Sequence, residues 1–220
     1  MRLQNSRWLC GVFAAAVLAT GLTACVPLVM GGGAAVGAMV AVDRRTSGTQ
    51  LEDETIELRS ANRIYELLGD RAHINVTSWN RQVLLTGEVP TSEDRQKVEQ
   101  IALSVENVRS VVNELVAAPN ASLSQRSNDT LITGKVKASF VDAKDIMSSA
   151  FKVVTERGVV YLMGRVTQRE ATRATEITRG VSGVAKVVRM FEIISEDELR
   201  SATATRQPAP VTQDMDHQSQ

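Results

Sequence analysis

Ile74–Pro90, INVTSWNRQVLLTGEVP, and Phe151–Thr167, FKVVTERGVVYLMGRVT, decide the fold. Each joins an alternating segment to an apolar run through a short polar turn, the pattern of a β-hairpin. The turns are Asn80-Arg81 in the first and Arg157-Gly158 in the second. Gly164 lies 77 residues after Gly87, and Val166 lies 77 after Val89. Downstream, Val105, Val108 and Val111 of VENVRSVVNELV match Val181, Val184 and Val187 of VSGVAKVVRMFEI at an offset of 76. One residue is therefore lost in the loop near Pro90. A repeat of this length describes two similar units rather than one large domain.

Working outward, each unit reads α-β-β-α-β. In the first, Leu58, Ala61, Tyr65 and Leu68 recur at helical spacing beside Ile64 and Leu67, which predicts an amphipathic helix. Ile74–Thr77 and Val83–Leu85 are the hairpin strands. Thr91 or Ser92 caps a second helix with Glu93 and Asp94 in its first turn and Val98, Ile101, Ala102 and Val105 facing inward. A strand from Val108 to Val116 closes the unit. In the second, a helix starts near Asn128-Asp129, and strands follow at Phe151–Thr155 and Val159–Met163. A helix over about Gln168–Arg179 turns Ala171, Ala174, Ile177 and Val181 inward, and a last strand runs from Val184 to Ile194. The class is α+β, with two helices on one face of a three-stranded sheet in each unit.

Composition sets the boundaries. Residues 26–50 are Gly- and Ala-rich and then polar, a flexible tether. The units span residues 51–118 and 128–194, joined by a linker at 119–127 that holds Pro119, Asn120 and several serines. Residues 195–220 are polar and aperiodic and are expected to be disordered. The formal net charge is zero, but Leu51–Ala118 carries 12 acidic and 7 basic residues while Pro119–Ile194 carries 7 acidic and 12 basic. This asymmetry points to different partners for the two halves, or to drift in solvated charge.

The N-terminus carries Arg2 and Arg7, then an apolar run from Trp8 to Leu18, then Leu22-Thr23-Ala24-Cys25. A basic front, a short apolar middle and a small-residue exit form a secretory signal that is removed. Leu-Thr-Ala-Cys resembles a bacterial lipobox, which makes residues 1–24 the signal and Cys25 the acylated (palmitate-carrying) first residue of the mature protein. Val26 stands where an aspartate would signal inner-membrane retention, which favours the outer membrane. The other cysteine, Cys10, lies within the signal, so no disulfide, thiol nucleophile or cysteine zinc site is expected.

The V-x-L-x-G-x-V cores (Val83, Leu85, Gly87, Val89 and Val160, Leu162, Gly164, Val166) and the valine-spaced closing strands resemble the BON domain of bacterial envelope proteins. The lipobox, the Gly48-Thr49-Gln50 leader and the stretches RAHINVT (71–77), SNDTLITGKV (127–136) and VVYLMG (159–164) resemble the dual-BON outer-membrane lipoproteins of the DolP (YraP) type. The resemblance implies a non-enzymatic protein, lipid-anchored on the periplasmic face of the outer membrane, that supports envelope integrity and gathers at cell division sites. It also implies that the first helix of the second unit binds anionic phospholipid, phosphatidylglycerol or cardiolipin.

The residues speak to that last point separately. On a helix from Asp129, Ile132, Val136 and Phe140 share a core face, whereas Leu131, Lys135 and Ala138 lie on another, with Lys137 to one side. An apolar tip flanked by cations suits lipid headgroups. Family members often carry an aromatic where this chain has Leu131, and leucine lacks the interfacial preference of tryptophan. The alternatives are that Leu131 packs against the first unit, and that the protein is an interaction scaffold docking a cell-wall hydrolase regulator or other envelope partner.

Enzyme chemistry is missing from the pattern. The two histidines, His73 and His217, have no partner at ligand spacing and read as structural or solvated, so no metal and no cofactor are expected. No Ser-His-Asp set can be assembled. Glu52-Asp53-Glu54 reads as a charge run at a helix N-terminus rather than a glycosidase pair. Gly31-Gly32-Gly33 follows no strand and lacks the lysine of a phosphate loop. No nucleic-acid partner is expected for a secreted chain.

Overall fold

The computed structural model describes residues 44–204. The signal segment, Cys25, the tether up to residue 43 and the tail from residue 205 with His217 lie outside the described residues. In the first unit, α1 (Ser47–Leu68) is capped by the Thr46 side chain, which accepts the Thr49 amide at 3.2 Å. Next come β1 (His73–Trp79), β2 (Gln82–Val89), α2 (Ser92–Leu103), β3 (Ser110–Asn113) and the two-residue β4 (Val116–Ala117). Thr91 caps α2, and Glu93 and Asp94 sit in its first turn. The second unit repeats the order with α3 (Leu123–Asp142), β5 (Phe151–Glu156), β6 (Val159–Thr167), α4 (Gln168–Arg179) and β7 (Lys186–Ile194), followed by α5 (Glu196–Ala204).

In each unit a central strand pairs antiparallel with its hairpin partner and parallel with the closing strand, giving the orders β1-β2-β3 and β5-β6-β7. The parallel neighbour requires a crossover, which α2 and α4 provide. Val83, Leu85 and Val89 of β2 meet Ile56, Ile64 and Leu68 of α1 and Val98 and Ala102 of α2. Val160, Leu162 and Val166 of β6 likewise meet Ile132, Val136 and Phe140 of α3 and Ala171 and Ala174 of α4. Two helices thus cover one face of each sheet, the α+β layering expected from the sequence.

Several boundaries and faces differ from the expectation. The first helix begins at Ser47, inside the stretch read as tether, because Thr46 provides a cap. The helix expected near Asn128 begins at Leu123, where Ser122 and Gln125 form a reciprocal capping box; the linker composition concealed it. On α1 the buried face is Ile56, Ser60, Ile64 and Leu68, while Leu58, Ala61 and Tyr65 face solvent. The sequence offers two apolar stripes there, and periodicity alone cannot rank them. The closing strand of the first unit breaks into β3 and β4 around Glu114-Leu115, and Leu115 enters the core. The start of the tail, read as disordered, forms α5.

Glu52-Asp53-Glu54 is also placed differently. The run lies past the first turn of α1, and Asp53 is buried. It accepts the Asn80 and Arg81 amides at 2.8 and 2.7 Å and the Ser78 hydroxyl at 2.7 Å. Asp129 of α3 accepts the Arg157 and Gly158 amides at 2.8 Å each. Each unit therefore ties its first helix to its hairpin turn with one buried aspartate. The turns need this support, since Asn80, Arg81, Arg157 and Gly158 all adopt positive φ.

Gly87 (φ +110°) passes so close to β1 that a Cβ would sit 2.0 Å from the His73 carbonyl oxygen, and at Gly164 it would sit 2.4 Å from that of Ala150. Neither obstacle is a flexible side chain. Gly87→Ala is expected to destabilise the chain by at least about 2 kcal/mol in urea unfolding, and Gly164→Ala is expected to lower the urea midpoint as well.

Candidate functional site

The first candidate surface is the outer face of α3. Asp129, Ile132, Val136 and Phe140 anchor its inner face. At about 100° per residue, the opposite face presents Leu123, Leu131 and Val141, which are 74%, 63% and 71% exposed. Gly134 and Ala138 are exposed between them. Lys135 flanks this stripe on one side, with its Nζ 3.3 Å from the Ser182 hydroxyl. Arg126 and Lys137 lie exposed on the other flank. The result is an uncovered apolar strip with Lys135 on one side and Arg126 and Lys137 on the other.

The second is the seam between the units. The sheet faces not covered by helices bury against each other: Trp79 and Leu84 meet Tyr161, Met163 and Met190, with Val112, Val154 and Val188 around them. Polar contacts rim this patch. Asn75 donates to Glu156 at 2.9 Å, Arg157 pairs with Glu88 at 3.3 Å, Asn80 donates to Glu192, and Arg109 lies 3.6 Å from Glu192. At one end His73, Glu88 and Glu156 converge, each offering a ligand-type atom within 4.8 Å of the others. Burial pushes the Glu156 carboxyl above its ordinary range; Asn75 opposes this, and Glu88 reinforces it.

The third is the leader. Arg44 is buried in the second unit, where it makes a forked pair with Glu170 at 2.7 and 2.8 Å and donates to the Arg165 carbonyl at 3.0 Å. Its neighbour Arg45 turns to the first unit, donating to Asp53 at 2.6 Å and stacking 3.7 Å over the Trp79 ring. Two consecutive arginines thus hold both units where the chain enters the fold.

Comparison with known proteins places this architecture. The family model described as BON domain matches residues 53–119 and 128–195. The chain is 41% identical over 176 residues to Outer membrane lipoprotein DolP of Haemophilus influenzae, covering 79% of this chain and 90% of that one. The chain belongs to the dual-BON DolP family. It is also 33% identical to the 21 kDa hemolysin of Actinobacillus pleuropneumoniae, over 70% of this chain and 80% of that one, and 32% identical to Osmotically-inducible protein Y of Escherichia coli, over 52% and 58%. Among solved structures, CdsD of the type III secretion system of Chlamydia trachomatis covers 72% of this chain and 99% of its own, at 12% identity and a TM-score of 0.28.

Within this dual-BON frame, Leu131, Lys135, Lys137 and Ala138 all fall on the exposed side of α3, with Lys137 set apart from the other three. Leu123 and Val141 extend the strip; Leu123 lies before the expected helix start, which the Ser122-x-x-Gln125 box could have signalled, whereas Val141 falls within the expected helix, two turns past Gly134 on the same face. His73, read as lacking a partner at ligand spacing, has one in its cross-strand neighbour Glu88 at 3.2 Å, and Glu156 of the other BON unit brings a carboxylate oxygen within 4.8 Å. Cys25 lies outside the described residues. Among those described, no helix is long and apolar enough to cross a membrane.

The leader clamp carries a pH signature. Burial pushes the Glu170 carboxyl up, but Arg44, the Thr167 amide and Arg169 outweigh it and hold the carboxyl below the ordinary glutamate range. A depressed carboxylate contributes stability that is present above the unfolded-state pKa and is lost as pH falls through the folded one. Glu170→Gln is expected to lower the thermal midpoint at neutral pH and to flatten its decline below about pH 4, as measured by thermal melts across pH.

Proposed function

We propose that this chain is an outer-membrane lipoprotein, acylated at Cys25, whose second BON unit binds anionic phospholipid through the outer face of α3 and supports envelope integrity at division sites. The observation that carries it is the exposed strip of Leu123, Leu131 and Val141, set on small residues and flanked by Arg126, Lys135 and Lys137. Gly134 and Ala138 let the helix backbone lie close to a surface, while the three larger side chains enter it. Burying a leucine contributes about 1.5–3 kcal/mol, and each cation near an anionic leaflet adds about 1 kcal/mol. These terms are modest singly and suit a second contact that assists a covalent anchor. Similarity to DolP, an outer-membrane lipoprotein by name, supports the location.

A second reading, a scaffold for an envelope protein partner, has one observation in its favour. Leu51, Leu58 and Tyr65 form an exposed stripe at seven-residue spacing on the acidic first unit. With 12 acidic and 7 basic residues, that unit suits a protein surface better than an anionic lipid.

The unacylated chain (residues 26–220) is expected to co-sediment with phosphatidylglycerol or cardiolipin vesicles and to release as salt rises. Leu131→Glu is expected to weaken that binding at least about tenfold, following the burial energy above. Vesicle binding unchanged by Leu131→Glu and abolished by Leu58→Glu would move the contact to the first unit.

A further inference from the structure

The cluster at the end of the seam has a chemistry that phospholipid binding does not use. Glu88 is fully buried and Glu156 nearly so, two carboxylates side by side at the junction of the BON units. Glu88 touches the Ala121 amide at 3.1 Å, His73 Nδ1 at 3.2 Å and Arg157 at 3.3 Å. Glu156 has an amide donor, Asn75, at 2.9 Å. A buried carboxylate pair is costly unless cations compensate it. Arg157, the partner of Glu88, keeps 41% of its side chain in solvent and can swing outward. A polar cleft of about 240 Å³, lined by His73, Asn75, Arg126, Asp129 and Glu156 among others, opens onto two of the three groups and gives ions and water a way in.

We propose that His73, Glu88 and Glu156 form a binding site for a first-row divalent transition metal, with Zn²⁺ as the reference ion, that pins the two BON units together. One imidazole and two carboxylates are a ligand set suited to zinc or its neighbours, whereas calcium and magnesium prefer all-oxygen shells. Side-chain movements of about 1 Å bring the three donors to zinc bonding distances of about 2.0–2.2 Å. Cleft water fills the remaining positions. His73 and Glu88 belong to the first sheet and Glu156 to the second, so the ion binds the docked arrangement and stabilises it by linkage. Arg157 is a competitor: it occupies Glu88 when the ion is away.

The test is calorimetric titration of the purified, signal-free chain (residues 26–220, which lacks both cysteines) with ZnCl₂, paired with thermal melts. One Zn²⁺ per chain and a raised melting midpoint are expected, with both lost on adding EDTA and neither reproduced by Mg²⁺. His73→Ala and Glu156→Gln are expected to abolish the isotherm, and His217→Ala to leave it intact. Arg157→Gln, which removes the competitor, is expected to tighten binding severalfold; this arm keeps the test decisive if a ligand variant fails to fold. Absence of Zn²⁺ binding, or an isotherm that survives both His73→Ala and Glu156→Gln, overturns the site.

Discussion

Contact of Trp79 and Leu84 with Tyr161, Met163 and Met190 is what the two-unit arrangement rests on. A three-stranded sheet that carries both helices on one side leaves its other side uncovered. A unit of this size buries too little apolar surface to leave such a face wet at no cost. The two BON units resolve this by using each other as the missing layer. The consequence is written in the central strands. Seven consecutive residues of β2, Val83–Val89, are buried, as are Val160–Gly164 of β6. Strands covered on both faces read as near-continuous apolar runs instead of alternating.

Docking the sheets back to back leaves α3 with a solvent-facing side. Its inner face is fixed by Ile132, Val136 and Phe140, and Asp129 locks its rotation to the β5–β6 turn. The outer strip is therefore presented on a rigid element, and contact with it needs no refolding. The possibility that Leu131 packs against the first unit is answered by its exposure: the seam is built from sheet faces, and α3 lies on the other side of its sheet. The Arg44-Arg45 pair joins the leader to the same assembly, one guanidinium to each unit.

Polar contacts across the seam do not simply match an acidic unit to a basic one. Glu88 of the first meets Arg157 of the second, yet Arg109 of the first meets Glu192 of the second. The charge asymmetry between the halves is thus not consumed at the junction. Part of the second unit's positive excess remains exposed beside the α3 strip as Arg126, Lys135 and Lys137.

The repeat, the hairpins with their turns at Asn80-Arg81 and Arg157-Gly158, and the α+β class follow from local periodicity and turn chemistry, which act over a few residues and are printed in the chain. The exposure of Leu131 follows from the same periodicity, because Ile132, Val136 and Phe140 claim the core side. Other features were decided only in three dimensions. Whether Leu58 or Ile56 faces inward on α1 depends on which stripe the sheet covers. Asp53 is a buried turn anchor because the hairpin is brought to it from 27 residues away in sequence. His73, Glu88 and Glu156 meet, and Arg44 reaches Glu170 across 126 residues, because the second faces of two sheets must be kept from water. That requirement belongs to the assembled layers, and no window of sequence contains it.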